Sequence, residues 1–155
     1  MHSQEKYAQY AEKVHLFKGL STHEVERILH CGKIIHFKEG QTVFHEGMLG
    51  TNMFSVLSGK IALHKKSRPL ARCFVGDAFG EMAILNDRPR TATASALTDV
   101  KLFTLDEKEL KRILDQNIGG KLLLNIVHVL SERLENANIR VGELRDQIQP
   151  AGAPR

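Results

Sequence analysis

The sequence predicts a mainly β fold with flanking helices: an antiparallel β-roll or jelly-roll-like barrel, with short helices before it and a long helix after it. Between residues 33 and 105, short β-branched or aromatic runs alternate with glycines, as in antiparallel barrels and sandwiches. Outside that region, apolar residues recur three and four positions apart, which is typical of amphipathic helices. With 155 residues, 42% of them apolar, the chain is long enough for one packed core and an appendage.

The predicted strands are short and regularly spaced. They are Lys33–Phe37, Thr42–His45, Met53–Leu57, Lys60–His64, Leu70–Val75, Thr91–Ala96 and Val100–Leu105. The Ser58-Gly59 pair lies between the third and fourth of these runs and predicts a hairpin turn that makes them neighbours in one sheet.

Helical spacing marks the start of the chain. The apolar positions of the first helix are Tyr7, Tyr10, Ala11, Val14 and Phe17. We expect Gly19 to end this helix. Ser21 and Glu24 form a capping-box pattern that predicts a second short helix, and Asp106 and Glu109 form a similar start signal after the β region.

The C-terminal helix carries a heptad pattern. Its apolar positions alternate steps of four and three: Leu123, Val127, Leu130, Leu134, Ala137, Val141, Leu144 and Ile148. The β-branched Val127, Val141 and Ile148 alternate with Leu130 and Leu144, and this alternation favours a parallel two-stranded coiled coil.

These patterns divide the chain into three parts. Residues 1–115 are expected to form the β-roll with its N-terminal helices, residues 116–148 the dimerisation helix, and residues 149–155 a flexible tail. We predict a homodimer through the Leu123–Ile148 helix. A stripe that only packs on its own domain is the alternative, and it would be preferred for a shorter repeat.

Composition argues against several classes of protein. No apolar run approaches the ~18 residues that a membrane span needs, and no secretory signal pattern is present, so we expect a soluble cytoplasmic protein without membrane contact. The net charge of +4 is spread among acidic residues, which favours a mixed solvated surface over nucleic-acid binding. Cys31 and Cys73 lie far apart and are expected to be reduced thiols.

The segment over residues 76–92 concentrates groups that suit an anionic ligand. Gly80 allows close backbone approach, and Glu81 and Met82 begin an expected short helix whose free N–H groups favour an anion. Arg90 follows a proline and offers a planar fork for two phosphate oxygens.

Two more residues complete this set. Thr91 adds a hydroxyl and Ala92 an unobstructed amide beside Arg90. The Glu81 carboxylate can only accept hydrogen bonds, which suits a sugar hydroxyl and not a phosphate. Each group alone has an ordinary explanation, as a surface arginine or a helix cap. Together they fit a ligand that joins one phosphate to one free sugar hydroxyl.

This segment resembles the phosphate-binding cassette of the cyclic nucleotide-binding domain family, whose pattern is Phe-Gly-Glu, a few apolar residues, then Pro-Arg-x-Ala. Phe79–Glu81 and Pro89–Ala92 match the two ends, with a spacing similar to that of the kinase regulatory subunits. Further segments that resemble the family are Leu16–Ser21, Phe37–Gly40, Glu46-Gly47 and Leu57–Lys60. With the final helix, the resemblance covers nearly the whole chain.

The resemblance implies a role for each cassette residue. Arg90 would pair with the cyclic phosphate of cAMP or cGMP, and Glu81 would accept a hydrogen bond from the ribose 2′-hydroxyl. Amides near Gly80 and Ala92 would complete the cradle around the phosphate. The ligand is a regulator in this family, so no cofactor and no metal are expected.

The resemblance defines the base side of the site less well. Leu70 and Cys73 stand where the family lines the pocket with apolar side chains, although ordinary core packing explains them equally well. Thr91 is compatible with both cAMP and cGMP binders, and family frequency alone favours cAMP.

The final helix is similar to the dimer helix of the bacterial cAMP receptor proteins, aligned on Val141–Leu144. Those proteins read adenine with a Thr-Ser pair, which is Ala137-Asn138 here. Asn138 can donate or accept at a purine edge, whereas the Ala137 side chain cannot. Arg133 has two interpretations: a partner of Glu81 or of the phosphate, or an exposed helix charge.

The predicted function is a cyclic nucleotide sensor that relays binding through its dimer helix to an effector protein or a fused domain. No nucleophile with a placed base and no paired carboxylates at catalytic spacing are evident, so we do not expect an enzyme. An alternative is the sensory fragment of a cAMP receptor-type transcription regulator whose DNA-binding domain is absent, because no helix-turn-helix pattern follows Ile148.

Two other classes remain as weaker alternatives. A cupin-like metalloenzyme would share the jelly-roll outline, but His36, His45 and Glu46 lack the HxH spacing that places two imidazoles on one strand face. Haem or redox sensors of the same superfamily use other side chains, and the intact Glu81 and Arg90 argue against that function.

Overall fold

The fold was determined in a computed structural model that describes residues 2–148. The tail predicted for residues 149–155 lies outside the described residues. The helices are α1 (His2–Lys13), α2 (Thr22–Cys31), α3 (Glu81–Leu85), α4 (Glu107–Leu114) and α5 (Gly119–Ile148), with a 3-10 turn at His15–Phe17. The strands are β1 (Lys33–Phe37), β2 (Thr42–Phe44), β3 (Asn52–Ser58), β4 (Ile61–Lys65), β5 (Arg68–Cys73), β6 (Ala78–Phe79), β7 (Thr93–Ala96) and β8 (Val100–Asp106).

The strands form two four-stranded antiparallel sheets. One has the order β1-β8-β3-β6 and the other the order β2-β7-β4-β5. The predicted antiparallel β-roll with flanking helices and a long C-terminal helix is therefore confirmed. All the predicted strands are present with ends that shift by at most two residues. The sequence prediction missed β6, since a two-residue strand carries no periodic signal.

The predicted hairpin at Ser58-Gly59 is wrong, because β3 and β4 belong to different sheets. Gly59 has a φ of +86°, and a Cβ there would lie 2.3 Å from the carbonyl oxygen of Asp99. Next to it, the Leu97 amide donates to the Lys60 carbonyl at 2.9 Å. Gly59 thus lets the chain turn tightly against residues 97–100 as it passes from the sheet of β3 to the sheet of β4. The apolar pattern of the two strands does not show which sheet each strand joins.

The first helix ends earlier than predicted, at Lys13 instead of Gly19. The amide of His15 donates to the Gly76 carbonyl at 3.0 Å, so the chain leaves the helix to meet the barrel and continues as a 3-10 turn. The capping box of α2 is confirmed: the Ser21 amide donates to Glu24 at 2.7 Å, and Ser21 Oγ accepts from the Glu24 amide at 3.2 Å.

Two apolar clusters make up the core. The first lies inside the barrel and consists of Phe54, Val56, Ile61, Cys73, Phe79, Ala94, Ala96, Val100 and Leu102. The second joins the N-terminal helices, α4 and the beginning of α5 to the outer face of β3 and β8. Asp106 begins α4 as predicted, since its side chain accepts from the Glu109 amide at 2.8 Å.

Helix α5 is attached to the domain mainly at its beginning. Its buried residues are Gly119, Leu122 and Ile126. Asn125 donates to the carbonyls of Leu16 and Lys18, both at 2.8 Å, and so ties the helix to the N-terminal turn. No helix among residues 2–148 is both long and apolar enough to cross a membrane.

Most of the heptad stripe on α5 is exposed. Leu134, Val141 and Ile148 are 63%, 60% and 79% exposed, whereas Leu130 packs partly against the second core cluster. The alternative in which the stripe covers its own domain therefore applies to Leu130 and not to the stripe as a whole.

Candidate functional site

Two neighbouring cavities lie between the barrel and α5, and Leu63 and Arg133 line both of them. The smaller cavity, of about 80 Å³, brings together seven of the predicted residues: Gly80, Glu81, Met82, Arg90, Thr91, Ala92 and Arg133. The larger cavity has a volume of about 1000 Å³ and lies between β4, β5 and α5.

Arg90 is the central cation of the smaller cavity. It is only 5% exposed, and its guanidinium donates to the carbonyl of Gly80 at 2.8 Å and to that of Asn52 at 2.6 Å. The ring of Phe44 lies 4.2 Å from the guanidinium carbon. Burial lowers the pKa of Arg90, because the charged form is removed from water. The two carbonyls fix the fork and leave further N–H groups available to an anion.

Glu81 is the acceptor of the same cavity. Gly80 precedes it in the left-handed region with a φ of +78°, which lets the chain turn sharply into α3. The Glu81 side chain is almost fully buried, and its Oε1 accepts from Arg133 Nη1 at 2.6 Å. The other oxygen, Oε2, is buried without a hydrogen-bond partner among residues 2–148. A buried acceptor of this kind is costly unless a donor reaches it.

Arg133 joins α5 to the cassette. Besides Glu81, it donates to the carbonyl of Ala78. Its side chain is 38% exposed, but the ion pair with Glu81 is present, so the interpretation of Arg133 as a free surface charge is wrong. The last fully buried residue of α5 is Ile126, and Leu130 packs only partly on the core, so this contact fixes a part of the helix that carries no fully buried residue.

Leu70 and Cys73 both line the larger cavity but differ in burial. Leu70 is 47% exposed on the edge strand β5, whereas Cys73 is 3% exposed and belongs to the barrel core. Burial raises the pKa of the Cys73 thiol to about 11. Both explanations offered for Cys73, core packing and pocket wall, therefore hold at once.

Asn138 does not line either cavity. Asn136, Ala137 and Arg140 line the larger one instead. A helix turns about 100° per residue, so residues 133, 136, 137 and 140 share one face and Asn138 is turned away from it. The spacing from Arg133 would have identified Asn136 and Arg140 as cavity residues.

The sequence prediction also missed contacts from β2 and β3. Phe44 and Asn52 are distant from Arg90 in sequence and hold its side chain through a ring face and a backbone carbonyl. Every residue has a backbone carbonyl, so the residue type at position 52 gave no indication that Asn52 would accept a hydrogen bond from Arg90. Within residues 2–148, no group of three His, Cys, Asp or Glu side chains is arranged to hold a metal ion.

Comparison with known proteins assigns the fold and the site to a family. The profile of the cyclic nucleotide-binding domain matches residues 34–117, more than half of the chain. The chain belongs to the cyclic nucleotide-binding domain family. The match includes both ends of the cassette, so the resemblance inferred from the sequence is confirmed.

Individual relatives agree with this assignment. The chain is 33% identical to a cAMP-dependent protein kinase regulatory subunit of Hypocrea atroviridis over 70% of its length and 23% of the relative's. It is 30% identical to a cGMP-dependent protein kinase of Toxoplasma gondii over 83% of its length and 12% of the relative's. The crystal structure of the Thermus thermophilus catabolite activator protein matches with a TM-score of 0.74 and 29% identity, covering 84% of this chain and 63% of that one. The chain thus spans a quarter or less of these two kinase-related proteins.

The burial of Cys73 makes its reactivity strongly dependent on pH. In a Cys31→Ser variant, we expect a thiol-specific alkylating reagent to label Cys73 slowly at pH 8, because the reactive thiolate is scarce two or more pH units below a pKa of about 11. The rate should rise with pH toward that value. Labelling rates measured by mass spectrometry under native conditions test this, with the same variant unfolded in urea as the reference. Equal rates in the native and unfolded protein at pH 8 would contradict it.

Proposed function

We propose that this domain is a regulatory sensor that binds a cyclic nucleotide, cAMP or cGMP, and passes the binding event to α5. The observation that carries the proposal is that one small cavity holds both the buried Arg90 guanidinium and Oε2 of Glu81, a buried oxygen with no hydrogen-bond partner in the described part of the chain. A cation fixed by carbonyls attracts an anion, and a carboxylate oxygen without a donor attracts a hydroxyl. A cyclic nucleotide provides both groups on one sugar.

In this proposal the phosphate binds at Arg90. The guanidinium already has its orientation fixed by Gly80 and Asn52, so little side-chain entropy is lost when an anion binds. Thr91 and Ala92 line the same cavity and supply a hydroxyl and a backbone amide. The ribose 2′-hydroxyl donates to Oε2 of Glu81, which satisfies that buried oxygen.

The base then lies in the larger cavity, beside Leu70 and Cys73 on one side and α5 on the other. Asn136 and Arg140 are the polar α5 residues that face it near Ala137. An asparagine suits the N6 and N7 edge of adenine, and an arginine suits the O6 and N7 edge of guanine. The pocket therefore offers a contact to either base, and we propose both nucleotides as ligands.

Arg133 provides the relay. It pairs with Glu81, the same residue that is proposed to accept the ribose hydroxyl, and it holds α5 beyond the last buried residue, Ile126. A ligand can shift α5 only by binding one arrangement of the helix more tightly than another, and couplings of about 1–3 kcal/mol are typical. The ligand and α5 thus contact the same carboxylate: the ribose hydroxyl is proposed to donate to Glu81, and Arg133 of α5 already donates to it.

We further propose that α5 pairs with a second copy in a parallel coiled coil. Val127, Leu134, Val141 and Ile148 then occupy a positions, and Leu123, Leu130, Ala137 and Leu144 occupy d positions. Arg133 is at a g position and Asn138 at an e position of the following heptad, and such positions lie opposite each other across a parallel dimer. Asn138, which does not reach the cavity of its own chain, would in this arrangement lie beside the Arg133 of the other chain.

The output of the sensor is the state of α5, which an effector protein or a fused domain can read. The catabolite activator protein of Thermus thermophilus extends beyond its matched region, which covers 63% of that chain. This observation favours, as a second candidate, the sensory part of a transcription regulator. Both candidates use the same cavity and the same helix, and neither requires a catalytic residue.

Calorimetric titration with cAMP and, separately, cGMP tests ligand binding. We expect saturable binding of at least one nucleotide, and Arg90→Ala should weaken it by about 2 kcal/mol or more because a charge-assisted phosphate contact is lost. Arg88→Ala removes an exposed arginine two residues away and is the matched control, with unchanged affinity expected. Equal affinities of the Arg90→Ala and Arg88→Ala variants would rule out this phosphate site.

Hydrogen exchange tests the relay. At saturating nucleotide, we expect amides of residues 127–148 to exchange at a different rate from those of the free protein, because Glu81 and Arg133 connect the ligand to α5. In Arg133→Met, nucleotide should no longer alter the exchange of this segment, whereas Glu135→Gln should behave as the wild type. A ligand effect that persists unchanged in Arg133→Met would contradict this path.

Sedimentation equilibrium tests the dimer. We expect a dimer for the wild type and a monomer for Leu134→Asp, because a buried charge at an a position is costly. Ile139→Asp is the control, since Ile139 is an exposed apolar residue, 54% accessible, on the opposite side of the same helix. Dissociation of both variants alike would show that the heptad stripe is not the interface.

A further inference from the structure

We propose that Gly50 is a positioning residue for the phosphate contact: the absence of a side chain at this position holds the Arg90 guanidinium in its binding orientation. The inference rests on the proposed function, because it assigns a role within the same site. Gly50 lies in the loop between β2 and β3, 40 residues before Arg90, and does not line either cavity.

The backbone of Gly50 packs directly on the guanidinium. A Cβ at this position would lie 2.1 Å from Nε, 2.3 Å from Cζ and 2.6 Å from Nη2 of Arg90. These separations are far below van der Waals contact, so an alanine at position 50 and the observed Arg90 orientation exclude each other. The contact also explains why Nε of Arg90 is buried without a hydrogen-bond partner among the described residues.

Backbone conformation does not explain this glycine. The glycines with positive φ are Gly19, Gly40, Gly47, Gly59, Gly76 and Gly80, and Gly50 is not one of them. An L-residue could therefore adopt the Gly50 conformation. Gly47, in the same loop, shows the opposite case, with a φ of +82° and no atom within 4 Å of the position that a Cβ would occupy. Gly47 is therefore required by the conformation of the turn, whereas Gly50 is required by the space that the Arg90 guanidinium occupies.

The rest of the loop fixes Arg90 through its backbone. The Gly47 amide donates to the Arg90 carbonyl and the Arg90 amide donates to the Met48 carbonyl, both at 2.8 Å. Asn52, at the end of the loop, accepts from Nη2 at 2.6 Å. The loop thus holds both ends of the residue, and Gly50 leaves the space in which the guanidinium lies between these anchors.

A methyl group at position 50 would move the guanidinium more readily than the backbone, because the guanidinium is the end of a flexible side chain. Its displacement would break the geometry of the bonds to Asn52 and Gly80 while the loop bonds to the Arg90 backbone remain. The structural consequence is a folded protein with a misplaced phosphate contact.

The test compares Gly50→Ala with Gly142→Ala, a helical glycine with no atom within 4 Å of the added methyl. Calorimetry with cAMP and cGMP should show at least a ~10-fold weaker Kd for Gly50→Ala and an unchanged Kd for Gly142→Ala. In an Arg90→Ala background, Gly50→Ala should add less than about a 2-fold further loss, because no guanidinium remains to be displaced. An equal loss in both backgrounds, or no loss in the wild-type background, would overturn the proposal.

A measurement without nucleotide separates this inference from the proposed function. The Nε–H resonance of Arg90 in a ¹⁵N correlation spectrum is assigned by its loss in Arg90→Ala. We expect it to shift or broaden in Gly50→Ala and to stay in place in Gly142→Ala, with similar melting temperatures for both. If neither nucleotide binds the wild type, the proposed function fails while the resonance still tests the positioning role. An unmoved resonance in Gly50→Ala refutes that role even if nucleotides bind.

Discussion

The burial of the Arg90 guanidinium is the constraint on which the site depends. A cation that is 5% exposed requires compensation, and here backbone carbonyls of Gly80 and Asn52 provide it in place of a carboxylate. The two carbonyls belong to different elements: Gly80 precedes α3, and Asn52 is the first residue of β3. These bonds hold Arg90 in place without a ligand. The guanidinium keeps its attraction for an anion because no carboxylate among residues 2–148 forms an ion pair with it.

Two charged residues of the smaller cavity, Arg90 and Glu81, are held by different parts of the structure. Arg90 belongs to the barrel and is held by fixed backbone, whereas Glu81 shares its carboxylate with Arg133 of α5. In the proposed function, the phosphate side of the site is held by backbone carbonyls, and the ribose side is connected to a helix whose last buried residue is Ile126. A ligand that contacts both sides can thus couple a fixed element to a movable one.

Residue patterns predicted the fold class, the strand positions and the cassette residues of the smaller cavity, because these depend on local periodicity and on a compact motif. They did not predict what depends on three-dimensional register. The Ser58-Gly59 turn joins different sheets, since Gly59 packs against a carbonyl that is far away in sequence. Asn138 was predicted because the resemblance aligns Ala137-Asn138 with a base-reading pair, whereas the helix face that carries Arg133 brings Asn136 to the cavity of the same chain. The role of Asn52 is exerted by its carbonyl, which every residue has.

Two faces of α5 lie roughly a quarter turn apart. One carries Arg133 and Arg140 toward the cavity, and the other carries the exposed apolar stripe. Asn125 sets the rotation of both faces, because its bonds to Leu16 and Lys18 fix the helix to the N-terminal turn. An inserted or deleted residue between Asn125 and Arg133 would rotate the rest of the helix by about 100°. The two arginines would then no longer face the cavity, and the apolar stripe would face a different direction. This stretch should therefore keep its length during evolution, so that relatives with the same cavity should differ here in exposed side chains and not in the number of residues.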